Sequence, residues 1–266
     1  MGLSAENRHN YILDCLKNNG KVIVKETAEK FGVTEVTIRR DLASLETKGL
    51  VKKTYGGAVL AGTEFNPSVR FRHTKNLSAK KIIGKLAADI VKDGDNIYLE
   101  AGSTCYEIIP YLADKKNLTI ITNSLMLMSR LHEQPQHRVI VTGGQYRSDT
   151  MDMIGPPAEN TISQLGGFTS FTSADDISIG YGISGADVAT VSFVKQVLKR
   201  AARAVFVGTR NKFDRGALYK IVDLDDLDYI VTNACPGDAW ERFAKEHNIT
   251  LFYPAEAVHE DLQPEF

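Results

Sequence analysis

Cysteine is scarce in this chain: three in 266 residues, Cys15, Cys105 and Cys235, each ninety or more positions from the next. An odd, scattered set makes neither a disulfide framework nor a metal-ligand spacing, and it fits a reducing, cytoplasmic compartment. The six histidines are equally dispersed and offer no triad or metal cluster. No apolar run approaches the roughly eighteen residues of a membrane helix, and the N-terminus lacks a signal-peptide core, so no membrane partner is expected. No motif calls for a cofactor, a metal or a catalytic residue. Internal repeats and low-complexity segments are also missing.

Net charge is nearly absent as well, at −1, but the figure conceals a split. Residues 1–85 hold 16 Lys and Arg against 8 Asp and Glu, whereas residues 86–266 hold 16 against 25. A basic first part suits a polyanion, and an acidic remainder should stay off one. The length allows a second domain with a sizeable core beyond a small N-terminal unit.

What is present is a run from Val33 to Leu45 patterned as a helix for the DNA major groove. Gly32 ends the preceding segment and Thr34 is placed to cap the new helix. Val36, Leu42 and Leu45, with Ile38 beside them, are expected to face inward. Glu35, Thr37, Arg39 and Arg40 remain on the outer face, where Arg can bind guanine or phosphate bidentately. A merely solvated charged face is the alternative.

The flanks favour the first reading. Arg8 to Asn18 carries Ile12, Leu13 and Leu16 at helical spacing and stops at Asn19-Gly20. Lys25 to Phe31 predicts a second helix, and Gly32-Val33 supplies the turn of a helix-turn-helix. Leu50 to Lys53 and Ala58 to Leu60 predict two strands about Tyr55-Gly56-Gly57. The result is a winged helix-turn-helix with Lys52, Lys53, Tyr55 and Gly56 on the wing, facing the phosphate backbone.

Thr34-Glu35-Val36-Thr37-Ile38-Arg39-Arg40-Asp41-Leu42, followed by Lys48-Gly49 and Tyr55-Gly56-Gly57-Ala58, resembles the N-terminal signature of the DeoR family of bacterial transcription regulators. The likeness covers roughly residues 6 to 60. The chain departs from it at Ile23, where a small polar residue is usual, and at Thr27, where Leu is usual. Both positions lie away from the expected DNA face.

The expected organisation is a winged helix-turn-helix over residues 1–61, a linker over 62–77, an α/β domain over 78–254 and a tail over 255–266. The linker holds Pro67 and the basic Arg70, Arg72 and Lys75 with little periodicity. In the α/β domain, helices are expected at Lys80 to Val91, Cys105 to Leu112, Leu125 to His132, Phe193 to Arg203 and Asp238 to His247. Strands are expected at Asn96 to Leu99, Leu118 to Ile121, Arg138 to Val141, Ile177 to Gly180, Ala204 to Val207, Tyr229 to Val231 and Thr250 to Phe252. This alternation implies a mainly parallel sheet covered by helices on both faces.

Ligands of such sheets bind outside the carboxyl ends of the strands. There the sequence places Glu100-Ala101-Gly102-Ser103-Thr104, then Thr122-Asn123-Ser124, then Gly143-Gly144 followed by Arg147. Each alone is an ordinary turn or cap; three at corresponding ends point to a pocket for a phosphate or a polyhydroxylated anion.

These segments, with Lys212-Phe213 and Arg215, resemble the DeoR-type sensor domain, which is similar to the sugar-phosphate isomerase fold and binds phosphorylated sugars. The resemblance implies Gly102, Ser103, Thr104, Asn123, Ser124, Gly144, Arg147, Lys195 and Lys212 as effector contacts. The chain departs from the family at Glu100, where Asp is usual, and in the shorter Gly180-Tyr181-Gly182-Ile183-Ser184. It departs again at Ala189-Thr190-Val191-Ser192, which replaces a carboxylate-bearing stretch, and at Thr209-Arg210-Asn211, where an Asp is common. An electropositive pocket is the expectation. The function implied is a regulator, a repressor of a carbohydrate or polyol operon, with operator DNA and a phosphorylated sugar or polyol as partners. A homo-oligomer, dimer or tetramer, is expected because duplex operators are commonly read by dimers. The competing reading is a sugar-phosphate isomerase with an accessory DNA module. Its general base would be Glu100 with Lys195 or Lys212 as partner, and the missing carboxylates weigh against it.

Overall fold

The computed structural model describes residues 5–19, 21–48, 50–60, 72–73 and 75–255. The chain divides into two compact units, Met1–Lys75 and Asn76–Phe266. The expected linker falls largely on residues 61–71 and 74, and the expected tail on 256–266, outside the described residues.

In the first unit, helix α1 (Ala5–Asn19) leads through strand β1 (Lys21–Ile23) into α2 (Val24–Phe31) and α3 (Glu35–Thr47), followed by the hairpin β2 (Val51–Thr54) and β3 (Gly57–Leu60). Strand β1, absent from the sequence expectation, pairs antiparallel with β3, giving a three-stranded sheet β1-β3-β2. Its three residues are too few for a periodic signal. One apolar core gathers Ile12 and Leu16 from α1, Val24 and Ala28 from α2, Ile38, Leu42 and Leu45 from α3, and Val51 and Ala58 from the wing.

Local chemistry sets the joints. Gly32 takes a left-handed conformation (φ 61°) that ends α2, which a residue with a Cβ adopts only at a cost. Thr34 then caps α3, its Oγ1 accepting from the Thr37 N–H at 3.4 Å. The two departures from the family pattern fit one another. Ile23 precedes α2 without a side-chain cap, and the buried Thr27 hydroxyl donates back to the Ile23 carbonyl at 2.7 Å.

The second unit opens with α4 (Leu77–Asp89) and is built on β4 (Asn96–Leu99), β5 (Thr119–Thr122), β6 (Arg138–Val141), β9 (Thr169–Thr172), β12 (Arg203–Val207), β14 (Tyr229–Val231) and β15 (Thr250–Phe252). They form one seven-stranded sheet in the order β15-β14-β12-β9-β4-β5-β6, every pairing parallel. Alternate residues of a strand serve opposite faces. Ile97, Leu99, Ile120, Phe171, Val205 and Val207 therefore share one core with α4 and with α6 (Leu125–Leu131). Tyr98, Ile121, Ala204, Phe206 and Ile230 face α7 (Pro156–Ser163), α8 (Val188–Arg200) and α9 (Asp238–Glu246) across two further cores.

Several features of this unit differ from the sequence expectation, the unforeseen helix α7 among them. Strand β9, a central strand, is Thr-Ser-Phe-Thr; buried throughout, it carries three hydroxyl residues that mask it as a strand. Ile177 to Gly180 does not join the parallel sheet. Instead β10 (Asp176–Ser178) pairs antiparallel with β11 (Gly182–Gly185), which pairs with β13 (Tyr219–Val222). The hairpin β7 (Gln145–Arg147) and β8 (Asp152–Ile154) is likewise additional. The expected Cys105 to Leu112 helix is only a single α turn, α5 (Ser103–Tyr106), followed by a 3₁₀ turn at Ile109–Leu112. Pro110 lacks the N–H that a continuous helix would use.

Candidate DNA-reading face and effector site

Helix α3 turns Ile38, Asp41, Leu42 and Leu45 inward. Val36 does not join them: it is 59% exposed, which corrects the sequence assignment. At 3.6 residues per turn it lies roughly 170° from the mean direction of the four buried residues. Arg39 and Arg40 are both exposed. Arg39 pairs with Glu35 one turn earlier, Nη2 to Oε2 at 3.2 Å, while Thr37 is half-buried and bonds to Thr34.

Asp41, buried among the apolar side chains, is the anchor that the sequence pattern does not single out. Its carboxylate accepts from Arg8 Nε at 2.7 Å and Nη2 at 3.2 Å and lies 3.3 Å from His9 Nε2, tying α3 to α1. The Arg8 pKa is raised through the hydrogen bond to Asp41. The signal available in sequence is a single acid on the helix's apolar side.

On the wing, Tyr55 is fully exposed at the hairpin tip, and Gly56 turns the chain at φ 83° while its carbonyl accepts from the Val24 N–H. Lys52 is exposed. Lys53 is held back on α3, its N–H and Nζ both meeting the Glu46 carboxylate, at 2.8 and 2.9 Å. That double contact lowers the Glu46 pKa.

In the second unit the chain moves from β4 outward to β5 and β6, then returns to β9 on β4's other side. The crevice at the carboxyl ends of β4 and β9 is therefore the topological switch point. Glu100 follows β4 there; its Oε2 accepts the Ser173 N–H at 2.9 Å. Lys212 approaches from beyond β12, its Nζ donating to Ser173 Oγ at 3.1 Å and to the Ala174 carbonyl. Ser103 and Thr104 are buried in the turn that follows, and a Cβ on Gly102 would lie 3.1 Å from Glu100 Oε2. Burial raises the Cys105 thiol pKa, with Glu100 adding to the rise and Lys212 opposing it. The arrangement brings an ammonium and a carboxylate onto the same serine.

The other expected effector contacts sit differently. Asn123 is engaged at both ends of its amide, accepting from Tyr98 Oη at 2.9 Å and donating to the Met153 carbonyl at 3.2 Å. Ser124 caps α6 through the Leu127 N–H. At Gly144 (φ 117°) a Cβ would lie 2.6 Å from the Ile154 carbonyl oxygen, so its bareness serves packing against β8. Lys195 is exposed on α8, about two turns beyond its start.

Arg147 is occupied: it forks onto Asp152 at 2.9 and 2.6 Å, and reaches Asp187 at 3.0 Å and Thr190 Oγ1 at 2.8 Å. Burial would lower its pKa, but the two carboxylates outweigh burial and raise it. Arg210 meets Asp214 at 3.0 Å. Both arginines are thus compensated, and the electropositive pocket expected from sequence does not arise from them. Ser173 escapes sequence reasoning because a lone serine after an unrecognised strand carries no signal.

Residues 8–64 match the model of the DeoR-like helix-turn-helix domain, and residues 75–234 match that of the DeoR C-terminal sensor domain. The chain belongs to the DeoR family. Among similar DeoR-family proteins, the HTH-type transcriptional repressor CsqR of Escherichia coli K12 is 27% identical, covering 96% of this chain and 97% of its own. The glycerol-3-phosphate regulon repressor of the same organism is 27% identical over 92% and 97%. The regulator IolR of Bacillus subtilis is 26% identical over 88% and 93%. Among solved structures, ribose 5-phosphate isomerase A of Methanocaldococcus jannaschii matches with a TM-score of 0.39 and 17% identity, covering 52% of this chain and 55% of that one. That likeness is too low to carry an argument. This DeoR-family chain is a DNA-binding transcription regulator, and no helix among its described residues is long and apolar enough to cross a membrane.

Proposed function

We propose that the protein is a cytoplasmic repressor of a carbohydrate or polyol operon, released from its operator by a phosphorylated sugar or polyol. The observation that carries the effector half is the meeting of Glu100, Ser173 and Lys212 at the switch point of the sheet. Lys212, with Ser103 and Thr104, takes the anionic end, and Glu100 accepts the ligand's hydroxyls. Binding shifts the population between DNA-competent and incompetent arrangements by its difference in affinity for the two. The names of the relatives, among them a glycerol-3-phosphate regulon repressor, agree with this class of regulated pathway.

Assembly as a homo-oligomer belongs to the same reading, since two-fold operators are matched by two-fold proteins. Tyr181, Val188, Leu218 and Tyr219, all exposed around β11 and β13, offer apolar surface for it. An isomerase is disfavoured because the relatives matched over nearly their whole length are named as transcriptional repressors.

The test is operator binding by fluorescence anisotropy against a panel of phosphorylated sugars and polyols. At least one should weaken binding by tenfold or more, and Lys212→Ala should remove the response. If no member of the panel changes operator affinity or thermal stability, the effector reading is wrong; turnover of a member would make the protein an enzyme.

A further inference from the structure

Val36 stands in the first turn of α3, at the centre of its outward face. Arg40 follows one turn later in the same row, exposed, with no ion pair among the described residues. On the flank, the neighbouring charges Glu35 and Arg39 are occupied with each other at 3.2 Å. A single exposed aliphatic side chain ordinarily needs no explanation. Here position adds one. The N-terminal turn of the second helix of a helix-turn-helix is the part that meets base edges, and an aliphatic group there can contact the C5 methyl of thymine. An isopropyl group can neither donate nor accept a hydrogen bond, so a thymine methyl is the apolar feature it can recognise on a base-pair edge.

We infer that Val36 is a specificity-determining residue: its isopropyl group packs on the C5 methyl of one thymine in each operator half-site, while Arg40 takes the adjacent base edge or phosphate. This rests on the operator-binding reading and adds to it the identity of one contacted chemical group. Val36 sets which base is read, and Arg40 adds charge-based affinity.

The full chain is used to select an operator from a randomised duplex library, and each dT of that operator is replaced singly by dU, which removes only the methyl. For the wild-type protein, one substitution per half-site should weaken binding by about 4-fold, the value of one buried methyl, and the symmetric pair by about 15-fold. Val36→Ala should bind dT and dU at that position equally, whereas Val36→Ile should retain the discrimination. Folding of each variant is checked by its salt-dependent binding to non-specific duplex, which should match wild type. The inference is overturned if no single dU costs the wild-type protein more than twofold, or if Val36→Ala discriminates as well as wild type. A library from which no sequence is enriched would defeat the operator reading itself, a distinct result.

Discussion

Replacing Arg147 by Met separates two roles that family resemblance and geometry assign to one side chain. As an effector contact, Arg147 would be dispensable for stability and needed for ligand response. In the structure it is instead the partner of Asp152, whose side chain is only 4% exposed and accepts two hydrogen bonds from Arg147 and one from Thr150. Removing one member of a buried pair strands the other, at a cost of about 3–5 kcal/mol. Arg147 itself is 19% exposed, so water reaches one side of the pair and the lower end, about 3 kcal/mol, applies. For a unit of this size that is a fall in Tm of roughly 6–12 °C. The assay is built in: Trp240 is the chain's single tryptophan, lies buried in the second unit, and reports unfolding there by fluorescence. The double variant Arg147→Met/Asp152→Asn, which removes the stranded charge, should recover part of the stability. A fall below about 1 kcal/mol in the single variant, with ligand response abolished, would refute the structural role.

Three further outcomes follow from interactions of the same kind. Burial raises the Asp187 pKa, but the Thr190 N–H and then Arg147 outweigh it, so the folded value lies below the ordinary one. Its contribution is therefore present above the unfolded value of about 3.9 and disappears as pH falls through the lower folded value. Asp187→Asn should accordingly be less stable than wild type at neutral pH, and the difference should shrink as pH falls below about 4 through the lower folded value, in Trp240 denaturation curves. Gly57→Ala would put a Cβ 1.9 Å from the Val22 carbonyl oxygen, forcing β1 from β3 at a cost of at least about 2 kcal/mol; hydrogen exchange at the β1 and β3 amides should lose protection. Asp41→Asn weakens the charged hydrogen bonds of Arg8 to α3 and should cost about 2 kcal/mol of first-unit stability, read by thermal melting of residues 1–75 within the full chain by NMR.

The sequence announces most clearly what is local. Gly32, Thr34 and the spacing of Ile38, Leu42 and Leu45 determine where α3 begins and which way it faces. Val36 departs from the expectation because its aliphatic type argues for the core, whereas its helical phase is opposite to that of Ile38 and Leu42 and places it outside. Strands β4, β6, β14 and β15 are legible as short apolar runs between turns. β9 is not, since a central strand of Thr and Ser is held in place by neighbours far along the chain. The same distance hides Ser173 and the occupation of Arg147, whose partner Asp187 lies 40 positions away. Residue types mark the strand ends where polar groups converge. Which of those groups remain for a ligand is decided only by folding, which engages Asn123, Ser124 and Arg147 within the protein itself.

Whether the outward face of α3 reads DNA is decided by operator affinity as a function of salt for wild type and Arg39→Ala/Arg40→Ala. The double variant should bind more weakly, with a slope of log affinity against log salt shallower by about 0.9 for each phosphate that it no longer neutralises. An unchanged affinity together with an unchanged slope would contradict that role of α3.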